Sequence, residues 1–152
     1  MASGITTRGG VGTIGRFVLP LYPETGDMTV KVLIVDDQAP FRMAARAVVE
    51  ATDDFEVVGE AETGESSVEM AHELKPDLVL MDVNLPGING LDATRQILTD
   101  LTPVVVLLLS TYEYDEYAPR AAECGASAYI PKSEFMPDRL VEAWTEATAK
   151  TA

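Results

Sequence analysis

Among 152 residues the chain has one cysteine, Cys124, one histidine, His72, and one tryptophan, Trp144. A single cysteine excludes an internal disulfide and suits a reducing compartment. One Cys with one His cannot supply the usual zinc ligand sets. Basic residues are scarce too: 11 Lys and Arg stand against 25 Asp and Glu, a net charge of −14. That excess argues against direct binding to nucleic acid or to an anionic membrane surface, and it favours cations and basic partners. No apolar run approaches the roughly 20 residues a membrane-spanning helix needs. Phe17-Val18-Leu19, cut off by Pro20, is too short for the apolar region of a secretory signal.

The acid is unevenly placed. Residues 1–27 carry Arg8, Arg16, Glu24 and Asp27, which cancel, so the whole excess lies in residues 28–152. The first segment is rich in glycine and shows no period of strand or helix, so it is expected to be a disordered or loosely attached extension. Gly10-Val11-Gly12-Thr13-Ile14-Gly15 matches the dinucleotide fingerprint G-x-G-x-x-G, but neither a strand before it nor a helix after it is legible. The match is read as accidental. A well-patterned sequence starts at Met28 and is expected to form one domain, 28–152.

From there, short apolar runs alternate with amphipathic stretches. Strands are predicted at Val30–Val35, Phe55–Val58, Asp77–Met81, Pro103–Leu109 and Ser127–Ile130. Helices are predicted at Phe41–Thr52, from Gly64 to about Leu74, at Leu91–Thr99, at Tyr112–Glu123 with Pro119 inside it, and at Asp138–Lys150. Leu140, Val141 and Trp144 are expected to face inward on the last of these. Five strands alternating with five helices imply an α/β fold, a parallel sheet with helices on both faces.

The chemistry-bearing residues sit directly after the apolar runs. Asp36 and Asp37 follow the first strand, Asp82 the third, Ser110 the fourth and Lys132 the fifth. In open α/β sheets ligands bind outside the carboxyl ends of the strands. If the three carboxylates converge, each pair about 4 Å apart repels by roughly 4 kcal/mol at an effective dielectric of about 20. Either a carboxyl protonates or a hard cation sits among them. Oxygen-only ligands in an incomplete cage suit Mg²⁺, which keeps waters and shares itself with phosphate. Lys132 adds a positive point, so the set suits a phosphoryl group with a carboxylate as nucleophile.

The segments KVLIVDDQ, LVLMDVNLPGINGLDA, VVVLLLS and CGASAYIPKS resemble the receiver domains of two-component response regulators, from Met28 onward. The resemblance implies a flavodoxin-like (βα)5 fold, five parallel strands in the order 2-1-3-4-5. It implies that Asp82 is the phosphoacceptor, served by a histidine kinase or phosphotransfer protein. Asp36, Asp37, Asp82 and the backbone carbonyl of Asn84 would hold Mg²⁺. Ser110 and Lys132 would contact the phosphoryl oxygens, and Tyr129 would be the aromatic switch that turns inward as Ser110 moves. The chain would then be a cytoplasmic signalling switch rather than an enzyme, catalysing only its own phosphorylation and dephosphorylation. STYEYDEY and YIPKS resemble the subfamily that normally carries a helix-turn-helix DNA-binding domain. The sequence stops about one helix after Lys132, so the expectation is a stand-alone receiver without that domain, with no DNA or membrane binding of its own. Its output would pass to a downstream protein or a homodimer through the fourth helix, fifth strand and fifth helix.

Other readings fit less well. An aspartyl-phosphate phosphatase places a second Asp two residues after its nucleophile, where this chain has Asn84. A flavin carrier wants a Ser, Thr and Gly-rich loop after the first strand, where this chain has the acidic DDQAP. The alternative is a receiver-shaped interaction module that works without phosphorylation; retention of every site residue speaks against it.

Overall fold

A computed structural model describes residues 29–101, 103–111, 120 and 122–151. The first 27 residues and most of the Tyr112–Glu123 helix expected from sequence lie outside these. Five strands, β1 (Val30–Val35), β2 (Phe55–Ala61), β3 (Leu78–Asp82), β4 (Val105–Ser110) and β5 (Ala128–Pro131), form one sheet in the order β2-β1-β3-β4-β5, every pair parallel. Between and after them run α1 (Ala39–Glu50), α2 (Gly64–Leu74), α3 (Gly90–Asp100) and the C-terminal helix, α4 (Pro137–Thr151).

The sheet divides the core in two. Val32, Ile34, Leu78, Leu80, Leu107 and Ile130 pack on Ala45 and Val49 of α1 and Leu140, Ala143 and Ala147 of α4. Leu33, Val35, Val79, Met81 and Leu108 face Ala71 of α2 and Leu91, Ala93 and Ile97 of α3. β3 and β4 are buried throughout because both faces are covered, which explains their unbroken apolar sequence. Cys124 is a buried free thiol.

Local chemistry fixes the helix ends. Thr63 Oγ1 accepts from Ser66 N at 3.0 Å while Ser66 Oγ accepts from Thr63 N at 3.2 Å, a reciprocal cap on α2. Asn89 Oδ1 accepts from Asp92 N at 2.9 Å and caps α3. Lys75, at φ 49°, ends α2 in the left-handed region, and Pro76 prevents its continuation.

Two expectations need correction. β2 runs three residues further than its apolar run, to Ala61. Val141 is 42% exposed: α4 is rotated so that Ala143 and Ala147 turn inward with Leu140. Trp144 is partly buried and meets the Phe55 ring edge-on, centroids 6.1 Å apart.

Candidate functional site

β1 and β3 are neighbours, yet the chain leaves β1 towards β2 on one side and returns to β3 on the other. This reversal opens a crevice at the carboxyl ends of the two strands, where fixed side chains meet solvent. Asp36 and Asp37 lie immediately after β1, and Asp82 is the last residue of β3. Their carboxylate oxygens lie within 4.8 Å of one another, the one such acidic cluster of three among the described residues. Asp36 is 1% exposed and Asp82 4%, whereas Asp37 is open to solvent.

Lys132 follows β5, at the start of a 3-10 turn over Lys132–Glu134 that the sequence did not signal. Its Nζ lies 2.6 Å from Asp36 Oδ2 and 3.6 Å from Asp82 Oδ1, and 4.5 Å from the centre of the Phe41 ring on α1. The ammonium is thus the counter-ion of two buried carboxylates, held over an aromatic face that attracts cations. Asp82 Oδ1 also accepts from Asn84 N at 3.2 Å. Burial, then the Asp36 carboxylate, push the Asp82 carboxyl up to about 6, against the opposing pull of Lys132 and the Asn84 N–H.

The loop after Asp82 is shaped by its glycines. Gly90 N donates to Val83 O at 2.9 Å, and a methyl on Gly90 would run into the Asp82 carbonyl. Gly87 has φ +76° and sits against the Glu65 carboxylate, whose Oε2 accepts from Ile88 N at 3.2 Å. Glu65 therefore ties α2 to this loop.

Ser110 ends β4 fully buried, and Tyr129 on β5 is 6% exposed. Leu108 pairs with Tyr129 and Ser110 with Pro131, so Ser110 and Tyr129 share a sheet face. The Tyr129 ring is already inside the core in this structure. The crevice therefore unites Asp36, Asp37, Asp82 and Lys132, with Asn84 beside Asp82. Ser110 is brought to the same sheet end, and Tyr129 lies one layer below. A separate groove of about 510 Å³ at the opposite end of the strands, lined by Asp77, Asp100, Leu101 and Trp144 among others, holds none of these residues.

Residues 32–145 match the model of the response regulator receiver domain. The chain belongs to the response regulator receiver family. It is similar to the response regulator protein VraR of Staphylococcus aureus, 40% identical over 111 residues that cover 73% of this chain and 53% of VraR. It is 35% identical over 120 residues to the transcriptional regulatory protein DegU of Brevibacillus brevis, covering 79% of this chain and 50% of DegU. The chain thus spans about half the length of the curated relatives it matches. Among solved structures, a LuxR-family two-component response regulator from Aurantimonas sp. SI85-9A1 matches with TM-score 0.73 at 33% identity, over 80% of this chain and 86% of that one. The response regulator domain of Thermotoga maritima CheB matches with TM-score 0.70 at 30% identity, over 79% of this chain and 97% of that one.

Receiver domains are phosphoacceptor signalling switches of two-component systems rather than ordinary enzymes. They bind Mg²⁺ at an acidic pocket and engage histidine kinases or phosphotransfer proteins. The Asp cluster fits such an ion on its own geometry. Asp36 Oδ2 is buried and makes no hydrogen bond, although the Lys132 ammonium lies 2.6 Å away as its counter-ion. It thus keeps a lone pair for a further positive ligand. All donors in the cluster are oxygens, as a hard cation prefers. Among the described residues no helix is long and apolar enough to cross a membrane.

Proposed function

We propose that this receiver takes a phosphoryl group onto Asp82 from the phosphohistidine of a histidine kinase or phosphotransfer protein, and that Asp36, Asp37, Asp82 and the Asn84 carbonyl hold the Mg²⁺ it needs. One observation carries the reading: three carboxylates within 4.8 Å, with a lysine ammonium between two of them, in the crevice of a parallel sheet. When bound, the ion neutralises charge on the phosphoryl oxygens. An Asp82 carboxylate oxygen attacks phosphorus, the N–P bond breaks, and its electron pair stays on the donor imidazole, which takes up a proton. Lys132 leaves its ion pair with Asp36 and moves to a phosphoryl oxygen, at little cost because the incoming cation replaces its charge beside Asp36. Ser110 donates its hydroxyl to another phosphoryl oxygen.

Output follows from where these groups sit. Ser110 shares a sheet face with Tyr129, so a shift of Ser110 towards the phosphoryl group changes the space around that ring. The surface affected comprises β5 and α4, and a protein partner or second copy reads it; the expected fourth helix, Tyr112–Glu123, belongs to the same proposal and lies mostly outside the described residues. The receiver occupies residues 28–152, with 1–27 as a separable extension, and acts in the cytoplasm.

The experiment is incubation with acetyl phosphate and Mg²⁺ followed by intact mass. The expected result is one phosphoryl adduct, absent without Mg²⁺ and absent in Asp82→Ala. An equal adduct in Asp82→Ala, or none in the wild-type chain, refutes the reading. The second outcome is the one a phosphorylation-independent interaction module gives.

A further inference from the structure

Arg42 and Glu60 lie outside the acidic cluster, yet they are wired to it. β1 and β2 pair in simple register up to Val32↔Val57, and the next pair is Leu33↔Gly59, so Val58 is an extra residue in β2. Such a bulge reverses which face each later side chain takes. Glu60 consequently pairs with Ile34 and shares its face, the one covered by α1 and α4. Had the register run on unbroken, with Val58 opposite Leu33, Glu60 would oppose Val35 and enter the apolar core under α2 and α3.

On the α1 face Glu60 meets two arginines one helical turn apart. Arg42 Nε donates to Glu60 Oε1 at 3.2 Å, and Arg46 Nε donates to Oε2 at 2.7 Å. Arg46 also reaches Glu50 at 3.0 Å and ends there. Arg42 goes further: its Nη1 donates to the backbone carbonyl of Asp36 at 2.8 Å. Its side chain is 15% exposed, against 42% for Arg46.

That carbonyl belongs to the peptide joining Asp36 to Asp37. The rest of Asp36 is already held, since its N–H donates to Ala61 O at 3.0 Å and its Oδ1 accepts from Gln38 N at 2.8 Å. What remains free to rotate is the plane of the 36–37 peptide, and that plane sets the direction of Asp37. Charge supports the same assignment. A lone guanidinium beside a cation site would repel the cation, but Arg42 is neutralised by Glu60 and lies 3.6 Å from Glu62 as well.

We infer that Glu60 and Arg42 are positioning residues for the acidic pair: the β2 bulge aims Glu60 at α1, Glu60 holds Arg42, and Arg42 locks the Asp36–Asp37 peptide so that both carboxylates face one cation. The inference rests on the Mg²⁺ reading above. Outer-shell partners of metal ligands commonly change affinity about 10-fold or more.

Calorimetric titration of Mg²⁺ alone into the full chain separates positioning from charge by sign. Arg42→Met deletes a positive charge, so a purely electrostatic role predicts tighter Mg²⁺ binding. Positioning predicts binding about tenfold weaker. Arg42→Lys keeps the charge and the aliphatic stem, and so preserves folding, but it cannot span Glu60 and the Asp36 carbonyl together. Charge alone predicts no change for it, and positioning predicts weakening. The carbonyl ¹³C shift of Asp36, which reports the hydrogen bond to that oxygen, should move in Arg42→Lys and in Glu60→Gln. Asp37→Ala is the companion variant. If it loses Mg²⁺ binding while Arg42→Met and Arg42→Lys bind as tightly as wild type or tighter, the relay is overturned and the Mg²⁺ site stands. If Asp37→Ala binds as well as wild type, the Mg²⁺ site is overturned and the relay with it.

Discussion

Asp82→Asn should stabilise the metal-free protein, and by an amount that depends on pH. The Asp82 carboxyl is raised from its ordinary 3.8 to about 6 in the fold. Between those values the folded state holds a proton that the unfolded chain has released. Stability therefore falls as pH rises from about 4 to about 6 and stays low above it. At about 1.4 kcal/mol for each tenfold, the raised value corresponds to about 3 kcal/mol at pH 8. The opposing pull of Lys132 is already contained in the raised value. Asparagine has nearly the same shape, keeps an acceptor for Asn84 N and carries no charge. The variant should thus gain about 3 kcal/mol at pH 8, or about 10 °C in Tm at about 3 °C per kcal/mol for a domain of this size, and nothing at pH 4. Scanning calorimetry of both proteins from pH 4 to 8, in chelator, measures this. Millimolar Mg²⁺ should shrink the gap, since the cation favours the ionised carboxylate. A difference that does not vary with pH, or a variant less stable at pH 8, would refute the argument that Asp82 bears the electrostatic strain of the cluster.

Lys132→Met removes the counter-ion of Asp36 and Asp82 and should cost about 3 kcal/mol at pH 8 without Mg²⁺, read by urea denaturation; an unchanged midpoint would mean that the pair is not formed in solution. Gly90→Ala would drive a methyl into the Asp82 carbonyl, so it should destabilise the fold by roughly 2 kcal/mol or more and depress Mg²⁺ binding together with it. Thr94 Oγ1 is buried and makes no hydrogen bond among the described residues, so Thr94→Val should add about 1 kcal/mol, and a loss of stability would reveal a partner for that hydroxyl. Hydrogen exchange with and without a phosphoryl mimic should change protection in residues 111–130; changes confined to Asn84–Gly90 would remove the basis for the output surface.

The architecture was legible because each strand is a short apolar run ended by a polar or turn residue. VKVLIV before Asp36 and VVVLLL before Ser110 need both faces covered, which only helices on two sides provide. The four residues of the crevice were legible for the same reason: a strand end is marked in sequence, and parallel strands bring all such ends to one edge. What stayed hidden depends on register and on helix rotation. The only mark of the bulge at Val58 in FEVVGEA is Gly59 beside it, which does not give the new register, so neither the length of β2 nor the direction of Glu60 follows from alternation. Arg42 reads as an ordinary helix-surface arginine until the Asp36 carbonyl is placed beside it. That the Phe41 ring lies beside Lys132 depends on where the start of α1 is held relative to the turn after β5. Val141 and Ala143 flank Leu140 on opposite sides of the helix, about 100° and about 60° away, and which flank is buried depends on how α4 is rotated against the sheet.

The central claim is that Asp82, and not another carboxylate of the cluster, carries the phosphoryl group. Borohydride reduces an acyl phosphate of aspartate to homoserine, which marks the residue permanently. The chain is phosphorylated with acetyl phosphate and Mg²⁺, reduced, digested and sequenced by mass spectrometry. The account predicts homoserine at position 82 alone, dependent on Mg²⁺. Homoserine at position 36 or 37, or an unmodified peptide across residues 76–91, would contradict it.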